Sequence, residues 1–256
     1  MLRLRGKRNP TKKTRGSLKG RVLRRWLLRR GAMIMQLVGR QAHGDVYLVR
    51  ETRRLAPLLV QDAAAMHILA CVRATRRLGG AMAEAGVFAG GTARLICEEK
   101  GDATLHLFDV FELLQSPPEE PEPSRFMQLR KHFGTVHATR AAVQRLLGAY
   151  PGVRIHAGVF PATTQGLEGE RFSFVHVDLD LEPSTRDALE FFHPRLLPGG
   201  ILVGDDYHDP GVRRAFDQYF AGRADTVIEL PWGQAVVVKA ADAPAPALPP
   251  SLPAQG

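Results

Sequence analysis

The sequence predicts an α/β fold built on a doubly wound, largely parallel sheet. Three observations lead there. From residue 80 onward, strand-like apolar runs alternate with helix-like segments, and alternating β and α elements pack as a parallel sheet covered on both faces. The first five strand-like runs end in glycines or carboxylates, at the edge where such sheets bind ligands. The last two flank Pro231-Trp232-Gly233 and read as a terminal antiparallel hairpin, which makes the sheet mixed.

The elements follow in order. DAAAMHILACVRATRRLG (62–79) is a helix with Met66, Leu69 and Val72 on one side and a glycine stop. His67 within it reads as packed or solvated. Residues 45–60 are a mixed segment. AMAEAGVF (81–88) is a strand, and TARLICEEKG (92–101) a helix closed by Gly101. TLHLFDVF (104–111) is a strand that reaches Asp109, followed by the proline-rich acidic loop QSPPEEPEPS (115–124). RFMQLRKHF (125–133) and ATRAAVQRLLGAY (138–150) are helical. GVRIHAG (152–158) and RFSFVHVDLD (171–180) are strands. STRDALEFFHPRLLPGG (184–200) is a helix opened by a Ser/Thr cap and closed by proline and glycines. GILVGDDY (200–207) is a strand, and PGVRRAFDQYFAGR (210–223) a helix with Pro210 near its start. DTVIEL (225–230) and QAVVVKA (234–240) form the hairpin, making seven strands in all.

The chain of 256 residues suits one α/β domain with extensions, large enough for a core without disulfides. Cys71 and Cys97 form no framework and no zinc pattern; they read as buried side chains in a reducing cytoplasm. The net charge of +9 is concentrated in an arm, since residues 1–30 hold thirteen Lys/Arg and no acid. The rest is mildly acidic. LKGRVLRRWLLRR (18–30) reads as a basic amphipathic helix with Leu18, Val22, Trp26 and Leu27 on its apolar side. It suits an anionic membrane surface or a nucleic acid. No eighteen-residue apolar run occurs, and the N-terminus lacks the pattern of a signal peptide. The expected organisation is a basic arm (1–44), one domain (45–239) and a disordered Ala/Pro-rich tail (240–256), in a cytoplasmic protein with a peripheral membrane contact through its arm. A homo-oligomer is compatible with this organisation.

Chemistry is expected at the strand ends. The first ends in Glu84-x-Gly86-x-Phe88-x-Gly90-Gly91 and the second in Asp109. Glycines admit a ligand to the backbone, and an acid after the second strand suits ribose hydroxyls. The third ends in Gly158-Val159-Phe160, the fourth in Asp178-Leu179-Asp180 and the fifth in Asp205-Asp206-Tyr207. Converging carboxylates repel unless protonated or bound to a cation, and an all-oxygen set suits Mg²⁺, Mn²⁺ or Ca²⁺ rather than zinc. Capping and turn aspartates give the same pattern.

EAGVFAGGTARLI, LFDVFELL, GVFPATT and FVHVDLDLEPSTRDALEFFHPRLLPGGILVGDDY, in that order, resemble the macrocin O-methyltransferase family, over about residues 62–239. The resemblance implies a Rossmann-like class I methyltransferase fold and S-adenosylmethionine as cofactor. It places Glu84, Gly86, Phe88, Gly90, Gly91, Asp109, Gly158 and Phe160 against that cofactor. It makes Asp178, Asp205 and Asp206 the ligands of a divalent cation, most often Mg²⁺. Asp180 is then the candidate general base, with Asp178 beside it and His208 as a weaker candidate. The implied acceptor is a hydroxyl of a sugar or glycosylated small molecule. Where the family often has Tyr-Glu, this chain has Glu182-Pro183. The acidic loop at 115–124 and the helix after it would cover the acceptor.

Three other readings compete. A catechol or phenol acceptor fits the same cofactor and cation, though the composition holds few aromatic residues to stack on it. A nucleic-acid-binding protein rests on the arm alone, since the body is acidic. A nicotinamide dehydrogenase lacks its G-x-G-x-x-G turn.

Overall fold

The structure, a computed structural model, describes residues 26–27, 37–111 and 138–241. The basic helix expected at 18–30 lies outside them except for Trp26 and Leu27, which are helical. The acidic loop at 115–124, the helix at 125–133 and the tail beyond Ala241 also lie outside. The chain divides into two units, residues 1–43 and 44–256. Among the described residues no helix is long and apolar enough to cross a membrane.

Six α-helices and seven strands are described: α1 (Arg40–Leu55), α2 (Asp62–Thr75), β1 (Ala81–Ala85), α3 (Gly91–Glu99), β2 (Leu105–Asp109), α4 (Arg140–Leu147), β3 (Val153–Ala157), β4 (Phe172–Val177), α5 (Glu182–Phe192), β5 (Leu196–Gly204), α6 (Pro210–Phe220), β6 (Val227–Glu229) and β7 (Ala235–Val238). The strands form one sheet in the order β3-β2-β1-β4-β5-β7-β6. Neighbours from β3 through β5 are parallel. Strand β7 runs antiparallel to both β5 and β6. The expected α/β sheet with its terminal hairpin is therefore present.

The order reverses between β1 and β4. Strand β1 leads outward to β2 and β3, and the chain then returns to the other side of β1. The helices following β1 and β4 leave in opposite directions, opening a crevice beyond the carboxyl ends of these strands. Both strands are buried throughout, so their side chains alternate between two cores. Phe108, Val175 and Val177 join Phe172, Phe192 and Phe216 in one. Met82, Leu107 and Phe174 join Ile68, Val72 and Ile96 in the other.

The helices follow from their apolar spacing. Helix α6 buries Val212, Ala215, Phe216, Tyr219 and Phe220, one face of a 3.6-residue period. Its cap is Asp209, whose carboxylate accepts from the amides of Gly211 and Val212. Pro210 follows, where a missing N–H is harmless.

Two expectations change. The mixed segment 45–60 is helical as far as Leu55, because Asp45, Val49 and Thr52 fall on one buried face. Arg73 pairs with Asp45 at 2.7 Å and with Glu99 at 2.9 Å, tying α1, α2 and α3 together. The helix expected over 184–200 instead starts at Glu182 with Leu181 as an uncapped N-cap. Ser184 and Thr185 lie inside its first turn and are buried, and Pro183 sits where a first-turn proline is tolerated. The helix stops at Phe192, a short 3₁₀ turn (His193–Arg195) contains Pro194, and β5 has begun by Leu196. Leu196 pairs with Phe172 and Ile201 with Phe174. Pro198-Gly199-Gly200 is thus a bulge within the strand rather than the stop of a helix.

Gly91 opens α3 against the segment that precedes α2. A Cβ there would lie 2.3 Å from the Pro57 carbonyl oxygen, and backbone cannot step aside as a side chain can. Gly91→Ala should destabilise the protein by about 1–3 kcal/mol, the usual cost of overpacking. Urea unfolding should show a lower midpoint with an unchanged slope.

Candidate active site

A cavity of about 260 Å³ opens in the crevice. Gly86, Phe88, Asp109, Gly158, Phe160, Asp178, Asp180, Asp205, Asp206 and His208 all line it. Residues from every parallel strand end therefore meet there, as the order of the sheet requires.

The glycine turn is shaped by its neighbours. Gly86 has a φ of +91°, and a Cβ on it would lie 1.7 Å from the Asp178 carbonyl oxygen. Only glycine allows β1 and β4 to end so close together. Asp109 organises the turn from the next strand. Its Oδ2 accepts the amides of Val87 at 2.7 Å and Phe88 at 2.8 Å, and its Oδ1 accepts that of Phe111 at 2.7 Å. The Asp109 carboxylate, expected against a ribose, is thus also the clasp of the loop. Burial raises its pKa, against the pull of these amides.

Three expected cofactor residues do not line the cavity. Gly90 faces the side chains of Leu146 and Val143, and Gly91 faces Pro57 and Leu58. Glu84 is fully buried, and its Oε1 lies 3.0 Å from His176 Nδ1. Each is held by protein contacts that a sequence pattern does not display.

The acids divide into two overlapping groups. Asp178, Asp180 and Asp206 bring donor oxygens within 4.8 Å of one another, and so do Asp178, Asp205 and the imidazole of His176. Among the described residues, Asp180 thus stands with Asp178 and Asp206 where Asp205 was expected. Asp205 turns the other way. Its Oδ2 lies 3.6 Å from His176 Nε2 and accepts from Gln234 at 3.3 Å, while its Oδ1 accepts from the Asp206 amide at 3.1 Å.

The environment separates these carboxyls. Burial would lower the pKa of His176, but Asp205, Glu84 and then Asp178 hold it up to about 10, while burial raises that of Glu84 itself. Burial opposes ionisation of Asp205, yet His176, the Asp206 amide and Gln234 keep its pKa below the usual value. Burial, together with the surrounding aspartates, pushes Asp178 well up despite His176. Burial and then Asp206 push Asp180 up to about 7. Asp206 is also raised, by burial first and Asp205 second. His208 is 70% exposed and stands 3.9 Å from Asp206 at the rim. The all-oxygen group fits a hard divalent cation, because crowded carboxyls with raised pKa values need protons or a cation to coexist.

All four non-glycine residues with positive φ among the described residues line this cavity: Phe88, Phe111, Asp180 and Asp206. Such conformations gather where geometry must be exact for function. Sequence reasoning missed several contributors. Leu59, Val60, Phe111, Ser184 and Trp232 also line the cavity. The turn tryptophan was the one available signal, a large aromatic placed next to a sheet's carboxyl edge. Glu182, standing where the family often has tyrosine, is absent from the lining and pairs with Arg186 and Arg214.

Residues 52–233 match the family model described as macrocin-O-methyltransferase (TylF). The 8-demethyl-8-(2,3-dimethoxy-alpha-L-rhamnosyl)-tetracenomycin-C 4'-O-methyltransferase of Streptomyces olivaceus is 32% identical over 164 residues, covering 59% of this chain and 62% of that protein. The mycinamicin III 3''-O-methyltransferase of Micromonospora griseorubida is 31% identical over 176 residues, covering 62% of this chain and 69% of that one. Among solved structures, the O-methyltransferase NovP superposes with a TM-score of 0.64 at 20% identity, covering 78% of this chain and 98% of that chain.

The raised Asp180 pKa has a consequence for stability. Between its ordinary value of 3.8 and its folded value of about 7, the native protein binds more protons than the unfolded chain. Stability therefore falls as pH rises through this window. Melting curves in EDTA should show a lower Tm at pH 7.5 than at pH 5. Asp180→Asn should flatten that decline, since asparagine tolerates the positive φ.

Proposed function

The chain belongs to the macrocin O-methyltransferase family, and from that premise we propose that it transfers the methyl group of S-adenosylmethionine to a hydroxyl of a sugar or glycosylated small molecule, aided by a divalent cation, Mg²⁺ by preference. The observation that carries this reading is the meeting of Asp178, Asp180 and Asp206 in one cavity with the glycine turn. One relative is named for O-methylation of a rhamnosyl-tetracenomycin and another for 3''-O-methylation of mycinamicin III, and the first name supports a sugar acceptor.

In this reading Gly86 and Phe88 contact the methionine and ribose portion, Asp109 the ribose hydroxyls, and Gly158 and Phe160 the adenine. S-adenosylmethionine supplies an electrophilic methyl on a sulfonium, and a bound cation favours the alkoxide form of a hydroxyl. The rest is done by the chain. Asp180, beside Asp178 and Asp206, is suited to take the proton of the acceptor hydroxyl, and a bound cation would keep it in the carboxylate form that this step needs. Asp178 and Asp206 present the charge that holds the cation, and Asp205 is set beside them by His176 and Gln234. Leu59, Val60 and Trp232 give the cavity an apolar wall. Orienting the two reactants contributes on the order of 7–11 kcal/mol in well-aligned systems.

A second reading keeps the chemistry and changes the acceptor. Phe88, Phe108, Phe111, Phe160 and Trp232 all line the cavity, more aromatic surface than the composition suggested, and aromatic walls also suit a phenol. Incubation with S-[methyl-³H]adenosylmethionine and two acceptor panels, deoxysugar glycosides and catechols, separates the two. Label in the glycosides is the expected result; label in catechols alone would overturn the sugar reading.

Asp180→Asn should lower turnover at least about a hundredfold, the scale of a lost general base. Binding of S-adenosylhomocysteine, followed by calorimetry, should persist in this variant and in excess EDTA. Loss of that binding in EDTA would place the cation in the cofactor pocket and contradict the division of the site.

A further inference from the structure

A line of hydrogen bonds runs from helix α2 to Asp205. Its centre is Gln234, which is fully buried. Trp232 Nε1–H donates to Gln234 Oε1 at 2.9 Å, and His67 Nδ1 lies 3.0 Å from the same oxygen. On its other side Gln234 Nε2 donates to Asp205 Oδ2 at 3.3 Å. Cys71 Sγ completes the line, 3.2 Å from His67 Nε2.

The proton order is determined throughout. An indole N–H can only donate, so the Gln234 oxygen faces Trp232. His67 must then carry its proton on Nδ1, which leaves Nε2 to accept from the Cys71 thiol. Burial pushes the Cys71 thiol up to about 12 and holds His67 below the usual imidazole value, so both are in the neutral forms that this order needs. The line ends on an acceptor, the Asp205 carboxylate.

We infer that Gln234 is a positioning residue that locks the Trp232 indole and the Asp205 carboxylate into one geometry. Both side chains line the cavity, so one buried amide joins an apolar wall to the acidic group. The significance of what it holds rests on the function proposed above; the lock itself does not. Glutamine suits the place because it accepts toward the indole and donates toward the carboxylate. Glutamate keeps the first contact and loses the second, and leucine loses both. The imidazole of His67 also packs against the indole, with ring centroids 5.8 Å apart, so Trp232 is held from a second direction. Residues 67, 71, 232 and 234 therefore act as one unit, and changing the hairpin turn alters both the apolar wall and the acidic group.

The test uses the full chain with Trp26→Phe, so that Trp232 is the single tryptophan of the two in the sequence. In Gln234→Leu, acrylamide quenching of Trp232 should rise about twofold as the freed indole samples open states. Mn²⁺ affinity, read by electron paramagnetic resonance, should weaken about tenfold, while S-adenosylhomocysteine affinity stays at the parent value. Gln234→Glu should quench like the parent, because it retains the acceptor for the indole. Parent-like quenching and Mn²⁺ affinity in Gln234→Leu would overturn the inference, leaving Gln234 as a space-filling residue. If Gln234→Leu does not fold, Gln234→Glu decides alone: parent-like quenching supports the lock, and raised quenching refutes it. A parent that binds neither S-adenosylhomocysteine nor Mn²⁺ defeats the proposed function, while the quenching comparison still decides the lock.

Discussion

His176 lies fully buried between Glu84 on β1 and Asp205 beyond β5, and it ties the acidic crevice to the sheet beneath it. Asp178, Asp180, Asp205 and Asp206 share a cavity of about 260 Å³. Uncompensated, that much negative charge would force protons onto the carboxyls or push the strand ends apart. A proton on His176 offsets part of it from inside the sheet. The ring lies 3.0 Å from Glu84 and 3.6 Å from Asp205, so one carboxylate stays ionised while its neighbours keep raised pKa values. A buried charge of this kind is tolerable only because its partners are themselves fixed on neighbouring strands. Asp205 and Asp180 thus differ by their surroundings, His176, the Asp206 amide and Gln234 for the one and burial beside Asp206 for the other, and not by residue type.

The backbone around the crevice is held against its own preference. Phe88, Phe111, Asp180 and Asp206 all adopt positive φ, and each such residue costs on the order of 1–3 kcal/mol. Asp109 holds the first two through their amides. Asp205 holds the last through its amide. Hydrogen bonds from backbone amides to carboxylates thus fix the loops that carry the remaining carboxylates, so the shape and the electrostatics of the site come from the same groups. The close approach of Gly86 to Asp178 places the glycine turn and the acids within one cavity.

Much of this was readable in advance where the signal was local. Alternating apolar runs identified the strands, the apolar side of α2 identified that helix, and Pro210 near its start marked α6. The aspartates at the ends of β4 and β5, and Gly86 and Phe88 of the turn after β1, were singled out in advance, and they line the cavity. The local signal misled where two meanings share one pattern. Pro198-Gly199-Gly200 reads equally as the end of a helix or a bulge in a strand. Ser184-Thr185 reads as a cap, although Pro183 and Glu182 are already helical. Gly90 and Gly91 belong to the same glycine-rich string as Gly86, yet a Cβ on them would meet Leu146 and Pro57, and neither lines the cavity.

Sequence by itself determined the class of fold, the order of its elements and the residues at the strand ends. Those follow from periodicity and turn chemistry within a few consecutive positions. Tertiary structure alone decided how the acids are divided, which glycines face the cavity and what stands behind Asp205. Glu84, His176, Asp205 and Gln234 come from β1, β4, the end of β5 and the hairpin turn, and they meet only once the sheet is ordered. No local pattern records that a histidine will lie buried between a glutamate and an aspartate or that a glutamine will join a tryptophan to an aspartate. Both depend on distances across strands and on the loss of solvent around them, which exist only in the folded chain.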